Sequence, residues 1–115
     1  MTVKQAMTAI LPCNDMAISR AFYENLGFAV DGDYGDYLIL SHPCGASLHL
    51  QPAVEGWLIP GQNPFGLYFY VEDVDGIAAR AGVRAAETDW GMYEAAFSDP
   101  DETLVRVGWP IRLRG

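Results

Sequence analysis

The chain has 115 residues, 15 of them acidic and 7 basic, for a formal net charge of -8; half are hydrophobic and 19% charged. That length and hydrophobic content predict one compact domain burying roughly two-thirds of its unfolded surface, and they exclude a disordered tail protein. Fifteen carboxylates against seven cations argue against nucleic acid as a partner, and the lack of a basic amphipathic stretch argues against an anionic membrane.

In chain order, Met7 to Leu11 reads as an apolar strand closed by Pro12. Asn14 or Asp15 then caps a helix whose inward residues, at near-helical spacing, are Met16, Ile18, Phe22 and Leu26. Gly27 falls where a left-handed cap would stop it. Phe28 to Val30 restarts as a strand, turned by Asp31-Gly32-Asp33. Tyr37 to Ser41 and Ala46 to Gln51 form a hairpin around His42-Pro43-Cys44-Gly45. Pro52 to Pro64, with three prolines and two glycines, reads as a linker. The pattern then restarts. Leu67 to Val71 is an aromatic-rich strand, and Asp73 caps a helix from Val74 to Ala81 ended by Gly82. Val83 to Ala86 and Tyr93 to Phe97 are strands, Ser98 to Glu102 a turn, and Thr103 to Gly108 the last strand.

The first residues, Met1 to Gln5, lack the apolar run of a signal peptide, and no stretch approaches transmembrane length. Cys13 and Cys44 are too few for a disulfide framework and lack metal-site spacing. They are expected as reduced thiols in a cytoplasmic protein.

An internal repeat is the most informative feature. The helix caps Asp15 and Asp73 are 58 residues apart, and His49 and Arg106, in the last strand of each half, are 57 apart. The agreement predicts two β-α-β-β-β modules, about 5–51 and 65–109 around the 52–64 linker, sharing one core because neither is large enough alone.

Three groups of residues carry a resemblance: Asn14-Asp15, then Arg20-Ala21-Phe22-Tyr23 with Leu26-Gly27-Phe28, and finally Asp99-Pro100-Asp101. They resemble the helix signature and the turn before the last strand in the vicinal oxygen chelate superfamily of glyoxalases, extradiol dioxygenases and bleomycin resistance proteins. Glu102 stands where that turn usually has glycine. The resemblance implies an α+β fold of two tandem βαβββ modules in a cupped, eight-stranded mixed sheet. In the family's metalloenzymes the ligands come from the first and last strands of each module. Here those places hold Thr8, His49, Gly66 and Arg106. Glycine has no ligating side chain, arginine no free lone pair, and threonine is a weak ligand, so no metal or other cofactor is expected. What remains resembles the antibiotic-binding branch, whose members are homodimers with clefts shared between chains; the resemblance therefore implies a homodimer.

Side chains alternate across a strand, so one inward position sets its neighbours. His49 inward brings Ser47 and Gln51; Gly66 inward brings Tyr68 and Tyr70; Thr8 brings Ile10 and Pro12; Arg106 brings Leu104 and Gly108. Tyr37 and Tyr93 are placed inward on weaker patterning. Trp57 in the linker and Trp90 before the seventh strand are candidates to close the mouth, while Trp57 and Trp109 read equally as dimer-interface residues. The expected ligand wall is thus Tyr37, Ser47, His49, Gln51, Trp57, Tyr68, Tyr70, Trp90, Tyr93 and Arg106. Its aromatic faces suit flat heteroaromatic rings. Asp31, Asp33 and Asp36 around one turn would attract a cationic tail, though turn chemistry explains them equally well. No phosphate loop or nucleophile elbow is present.

The expected function is metal-independent sequestration of an aromatic antibiotic or peptide natural product, cationic ones included, of bleomycin or quinoxaline type, for resistance or self-protection. An accessory role in secondary metabolism is a weaker variant. The alternative is a diverged metal-dependent lyase, isomerase or dioxygenase using His49, with Glu94 and Glu72 as the nearest further ligands.

Overall fold

The computed structural model describes residues 6–115. The leader reading of Met1 to Gln5, and the first module's expected start at about residue 5, lie outside the described residues.

Ten elements follow in the order β1 (Ala9–Cys13), α1 (Met16–Asn25), β2 (Ala29–Asp33), β3 (Leu38–Ser41), β4 (Ser47–Pro52), β5 (Gly66–Tyr70), α2 (Val74–Arg80), β6 (Ala86–Glu87), β7 (Met92–Ser98) and β8 (Leu104–Pro110), with a 3-10 turn at Ile111–Leu113. The strands form two four-stranded sheets of identical layout, β1-β4-β3-β2 and β5-β8-β7-β6. In each, the first and last strands of the module pair in parallel and the rest are antiparallel. Ile10 lies opposite His49 in one sheet and Tyr68 opposite Arg106 in the other, so the repeat seen in the residues recurs in strand register.

Both helix starts follow from their caps. Asp15 accepts from the amides of Ala17 and Ile18, and Asp73 from that of Gly76. Gly27 and Gly82 end the helices with positive φ. Strand β1 runs on through Pro12 rather than closing at it. A proline is tolerated there because β1 is an edge strand, whose free side needs no ladder donor. Val83 to Ala86 yields only the two-residue β6.

One face of each sheet is packed under the helices. Leu38, Leu40, Leu48 and Leu50 from the first sheet and Val105 and Val107 from the second join Leu26, Phe28, Val74 and Ile77 in a shared core. Phe28 meets Phe69 edge-on at 6.0 Å, and Phe22 lies 6.1 Å from Phe97, so the first helix and its exit are wedged against the second sheet.

The inward face of α1 differs from the apolar pattern. Ile18 is 55% exposed, whereas Ser19 and Tyr23 are fully enclosed. The reason is polar and long-range. The Tyr23 hydroxyl donates to Asp99 Oδ2 at 2.8 Å, and the Ser19 hydroxyl to Asp101 Oδ2 at 3.4 Å. Asp99 Oδ1 takes the amides of Asp101 and Thr103, and Asp101 Oδ1 that of Asn14. Asn63, from the linker, donates to the Asp101 carbonyl and the Thr103 hydroxyl. Every buried carboxylate oxygen is thereby partnered, which is the condition for tolerating it. Glu102 takes a positive φ of 62° in this turn, the conformation a glycine would adopt without strain.

Candidate functional site

The other face of each sheet is turned away from the core and left open. On the first, Thr8 and Ser47 share a 2.7 Å hydroxyl hydrogen bond, and the Tyr37 hydroxyl meets His49 Nδ1 at 2.7 Å with the rings 5.2 Å apart, edge to face. Tyr37, Ser47 and His49 are therefore brought together there. Gln51 follows His49 by two residues at the exposed end of β4.

The open face of the second sheet is built from Tyr68 and Tyr70 on β5, Arg106 on β8 and Glu94 on β7. Tyr68 and Tyr70 place their ring centroids 5.2 Å apart. The Tyr68 hydroxyl donates to Glu94 Oε2 at 2.8 Å, and Trp90 Nε1 points to the same oxygen at 3.4 Å. Gly108 makes this possible: a Cβ there would overlap the Tyr68 hydroxyl. Burial first, and then the hydrogen bond to Glu94, hold the Tyr68 phenol well above the usual tyrosine range, so at neutral pH it only donates to that carboxylate.

Tyr93 is not part of this face. Its neighbours in strand alternation, Ala95 and Phe97, pack on the core side, and Tyr93 goes with them. Its hydroxyl donates to Asp75 on the second helix, and the Arg114 guanidinium lies 3.6 Å from its ring centre. The Asp75 hydrogen bond is the main cause raising its phenol. Glu94 takes the open-face place expected for Tyr93. Trp57 is 82% exposed in the linker and makes no ring contact among the described residues.

At the seam of the two sheets lies a crevice of about 480 Å³. Of the expected wall, Ser47, Tyr68 and Tyr70 line it, together with Thr8, Met7 and Cys44; His49, Gln51, Tyr37, Trp57, Trp90 and Arg106 do not. The two halves of the wall thus meet only at their edges within one chain. Tyr70 and Trp90 also border a second hollow of about 650 Å³ beside Ile111 and Arg112.

The four positions where the fold's metalloenzymes carry ligands do not fit a metal. His49 already engages Tyr37 through Nδ1, Gly66 offers no side chain, and Arg106 is a permanent cation. Among the described residues, no three of His, Cys, Asp and Glu are grouped to hold one. Neither of the notional extra ligands, Glu94 and Glu72, joins such a group. No described helix is long and apolar enough to cross a membrane.

Known structures resemble this chain over nearly its whole length. A bleomycin-binding protein solved with bleomycin bound matches with a TM-score of 0.79 and 23% identity, over 92% of this chain and 98% of the other. A bleomycin resistance determinant encoded on transposon TN5 gives 0.80 and 23%, over 93% and 98%. The chain has the fold of the vicinal oxygen chelate superfamily. TnmS3, an antibiotic binding protein from Streptomyces sp. CB03234, shares this glyoxalase/bleomycin resistance fold with a TM-score of 0.68 and 26% identity, over 96% and 98%. The expectation drawn from the Phe22-Tyr23 and Asp99-Pro100-Asp101 groups is borne out at the level of the fold. No family model matches the sequence, and no curated protein matches it.

Proposed function

We propose that this chain captures an aromatic natural-product antibiotic of bleomycin or quinoxaline type and sequesters it without turnover, giving resistance or self-protection. The observation that carries the reading is the open shelf of Tyr68, Tyr70 and Trp90, three aromatic side chains left facing solvent beside a carboxylate and an arginine. Exposed aromatic clusters of this kind mark binding surfaces more often than solvated ones. Neighbours in structure that bind bleomycin or resist it support the same assignment.

The binding unit in this reading is a homodimer. Within one chain the Tyr37–His49 pair, Trp90 and Arg106 all lie outside the crevice that Ser47, Tyr68 and Tyr70 line. A second copy that sets the first sheet of one chain against the second sheet of its partner would complete two wall-to-wall clefts. Exposed Ile10, Leu104 and Phe65 supply apolar surface for that contact. The unpaired thiols Cys13 and Cys44 suit the reducing cytoplasm. Binding is metal-independent here because the Thr8, His49, Gly66 and Arg106 set offers a single imidazole.

Titration with bleomycin and with a quinoxaline antibiotic, following tryptophan fluorescence and then the mass of the recovered drug, tests the reading. Saturable quenching with the drug returned unchanged is expected, from a species of twice the chain mass by light scattering. A flat response to both compounds overturns it. Turnover would favour the alternative, a diverged lyase, isomerase or dioxygenase, for which the Tyr37–His49 hydrogen bond supplies an acid–base pair.

A further inference from the structure

We propose that Glu94, framed by Tyr68, Tyr70 and Trp90, is a cation subsite that selects ligands carrying a quaternary or protonated amine next to a flat ring. This rests on the binding function above and adds to it the charge of the ligand and the residue that reads it.

Two features of Glu94 lead there. Both protein donors converge on one oxygen, Tyr68 at 2.8 Å and Trp90 at 3.4 Å on Oε2, and Oε1 has no partner among the described residues. Nor does any described Arg pair with Glu94: the ion pairs of the described residues are those of Arg20 with Glu24 and Asp33. The carboxylate is therefore oriented by its donors yet has no ion-pair partner among the described residues.

The surroundings suit a soft cation. Aromatic rings are negative on their faces, and Tyr68 and Tyr70 stand 5.2 Å apart at 53°, with the Trp90 indole anchored to the same carboxylate. An ammonium placed over these faces gains from the ring quadrupoles and from Glu94 together. A neutral aromatic ligand uses only the rings, and an anion is repelled. The missing side chain at Gly108 brings the Tyr68 hydroxyl to Glu94, so the backbone itself is shaped to make the carboxylate part of the aromatic shelf. Arg106 occupies the neighbouring open-face position along β8, opposite Tyr68, and makes no ion pair with Glu94. The two charges remain available separately. The shelf then reads polarity, with a cationic group at the Trp90 end and an acceptor toward Arg106.

Calorimetric titration with three naphthalene probes tests this: (2-naphthylmethyl)trimethylammonium, 2-naphthylmethanol and 2-naphthylacetate. The wild-type chain is expected to bind the cation about tenfold more tightly than the alcohol, with the carboxylate weakest. In Glu94→Gln, which preserves the acceptor oxygen for Tyr68, the cation-to-alcohol ratio is expected to fall to about one. In Tyr68→Phe, which removes a donor but keeps the charge, the ratio is expected to stay near tenfold. Equal binding of cation and alcohol by wild type, a preference that survives Glu94→Gln, or a preference lost in Tyr68→Phe each overturns the subsite while leaving the aromatic-binding reading standing. Binding of none of the three, with no antibiotic response, removes both.

Discussion

Replacing Tyr23 by Phe removes one oxygen atom from a site that is otherwise unchanged in shape. Tyr23 is 1% exposed and Asp99 5%, so neither side of their 2.8 Å hydrogen bond can turn to water. Hydrogen bonds to charged groups contribute about 1.5–3 kcal/mol, and a buried acceptor left alone keeps its desolvation cost. Asp99 retains two amide donors on Oδ1, which limits the damage to its other oxygen. The expected loss is about 2–3 kcal/mol. At about 4 °C per kcal/mol for a domain of this size, Tm falls by about 8–12 °C. The assay is guanidinium unfolding at fixed protein concentration, run as a double-mutant cycle with Asp99→Ala. A coupling of about 2 kcal/mol is expected, because each variant removes the same bond. Ile18→Ala on the same helix is the internal control: the residue is half exposed, and its change should stay within about 0.5 kcal/mol. A Tyr23→Phe loss below that of Ile18→Ala, or strictly additive losses in the cycle, would refute the claim that the hydrogen bonds of Ser19 and Tyr23 to Asp99 and Asp101 set which face of the first helix is buried.

Four further outcomes follow from other residues of the fold and the shelf. Burial raises the Cys13 thiol to about 11 from 9.0, so folding favours the protonated form; that stability is full below pH 9 and is lost as pH climbs through 11. The two-unit difference corresponds to about 2–3 kcal/mol, and Cys13→Ala should lower the slope of the denaturation curve between pH 9 and 11, with Tyr23, also raised by burial from 10.0, adding its own loss from about pH 10 upward. A thiol reagent at neutral pH should label one cysteine, the exposed Cys44, and a second only after unfolding. Glu102→Gly should raise stability by about 0.5–1 kcal/mol in chemical denaturation, since it relieves a left-handed backbone at φ 62°. Gly108→Ala should displace Tyr68 from Glu94 and weaken binding of the cationic naphthalene probe by about tenfold in calorimetry, whereas an unchanged affinity would show that the Tyr68 placement is unimportant to the shelf.

Local chemistry made much of the fold legible. Asp15 and Asp73 cap where acidic caps precede apolar helical spacing, and the strands with strict alternation, β4 and β5, came out with Leu48 and Leu50 in and His49, Tyr68 and Tyr70 on the open face. Two departures have different causes. Ile18 reads as inward by its spacing but is half exposed, because the neighbour that decides the helix's rotation is a pair of carboxylates some eighty residues later, to which the helix side chains of Ser19 and Tyr23 donate. Hydrophobic spacing ranks residues by dislike of water and is blind to a buried acceptor. Tyr93 was misplaced because Met92 to Phe97 carries apolar residues on both parities. The cue was Phe97 with Ala95: stepping back by two from a bulky core residue puts Tyr93 on the core side and Glu94 on the open one. Glu94 itself was passed over for the binding wall because a lone carboxylate in a strand reads as solvated until the donors around it are known.

The groups that carried the family resemblance prove to touch one another. Asn14, Ser19 and Tyr23 on one side and Asp99 and Asp101 on the other are halves of one buried network that ties the first helix to the turn before the last strand. A fold signature of this kind reports on what must be buried together. It is silent about the ligand for the same physical reason: Tyr70 and Trp90 are more than half exposed, so the folded core places little constraint on them. Binding chemistry on such a face can change without refolding the scaffold beneath it. That separation is why the capped helices and the Asp-Pro-Asp turn identify the architecture, while the charge preference of the shelf comes down to one carboxylate, Glu94, on the exposed face.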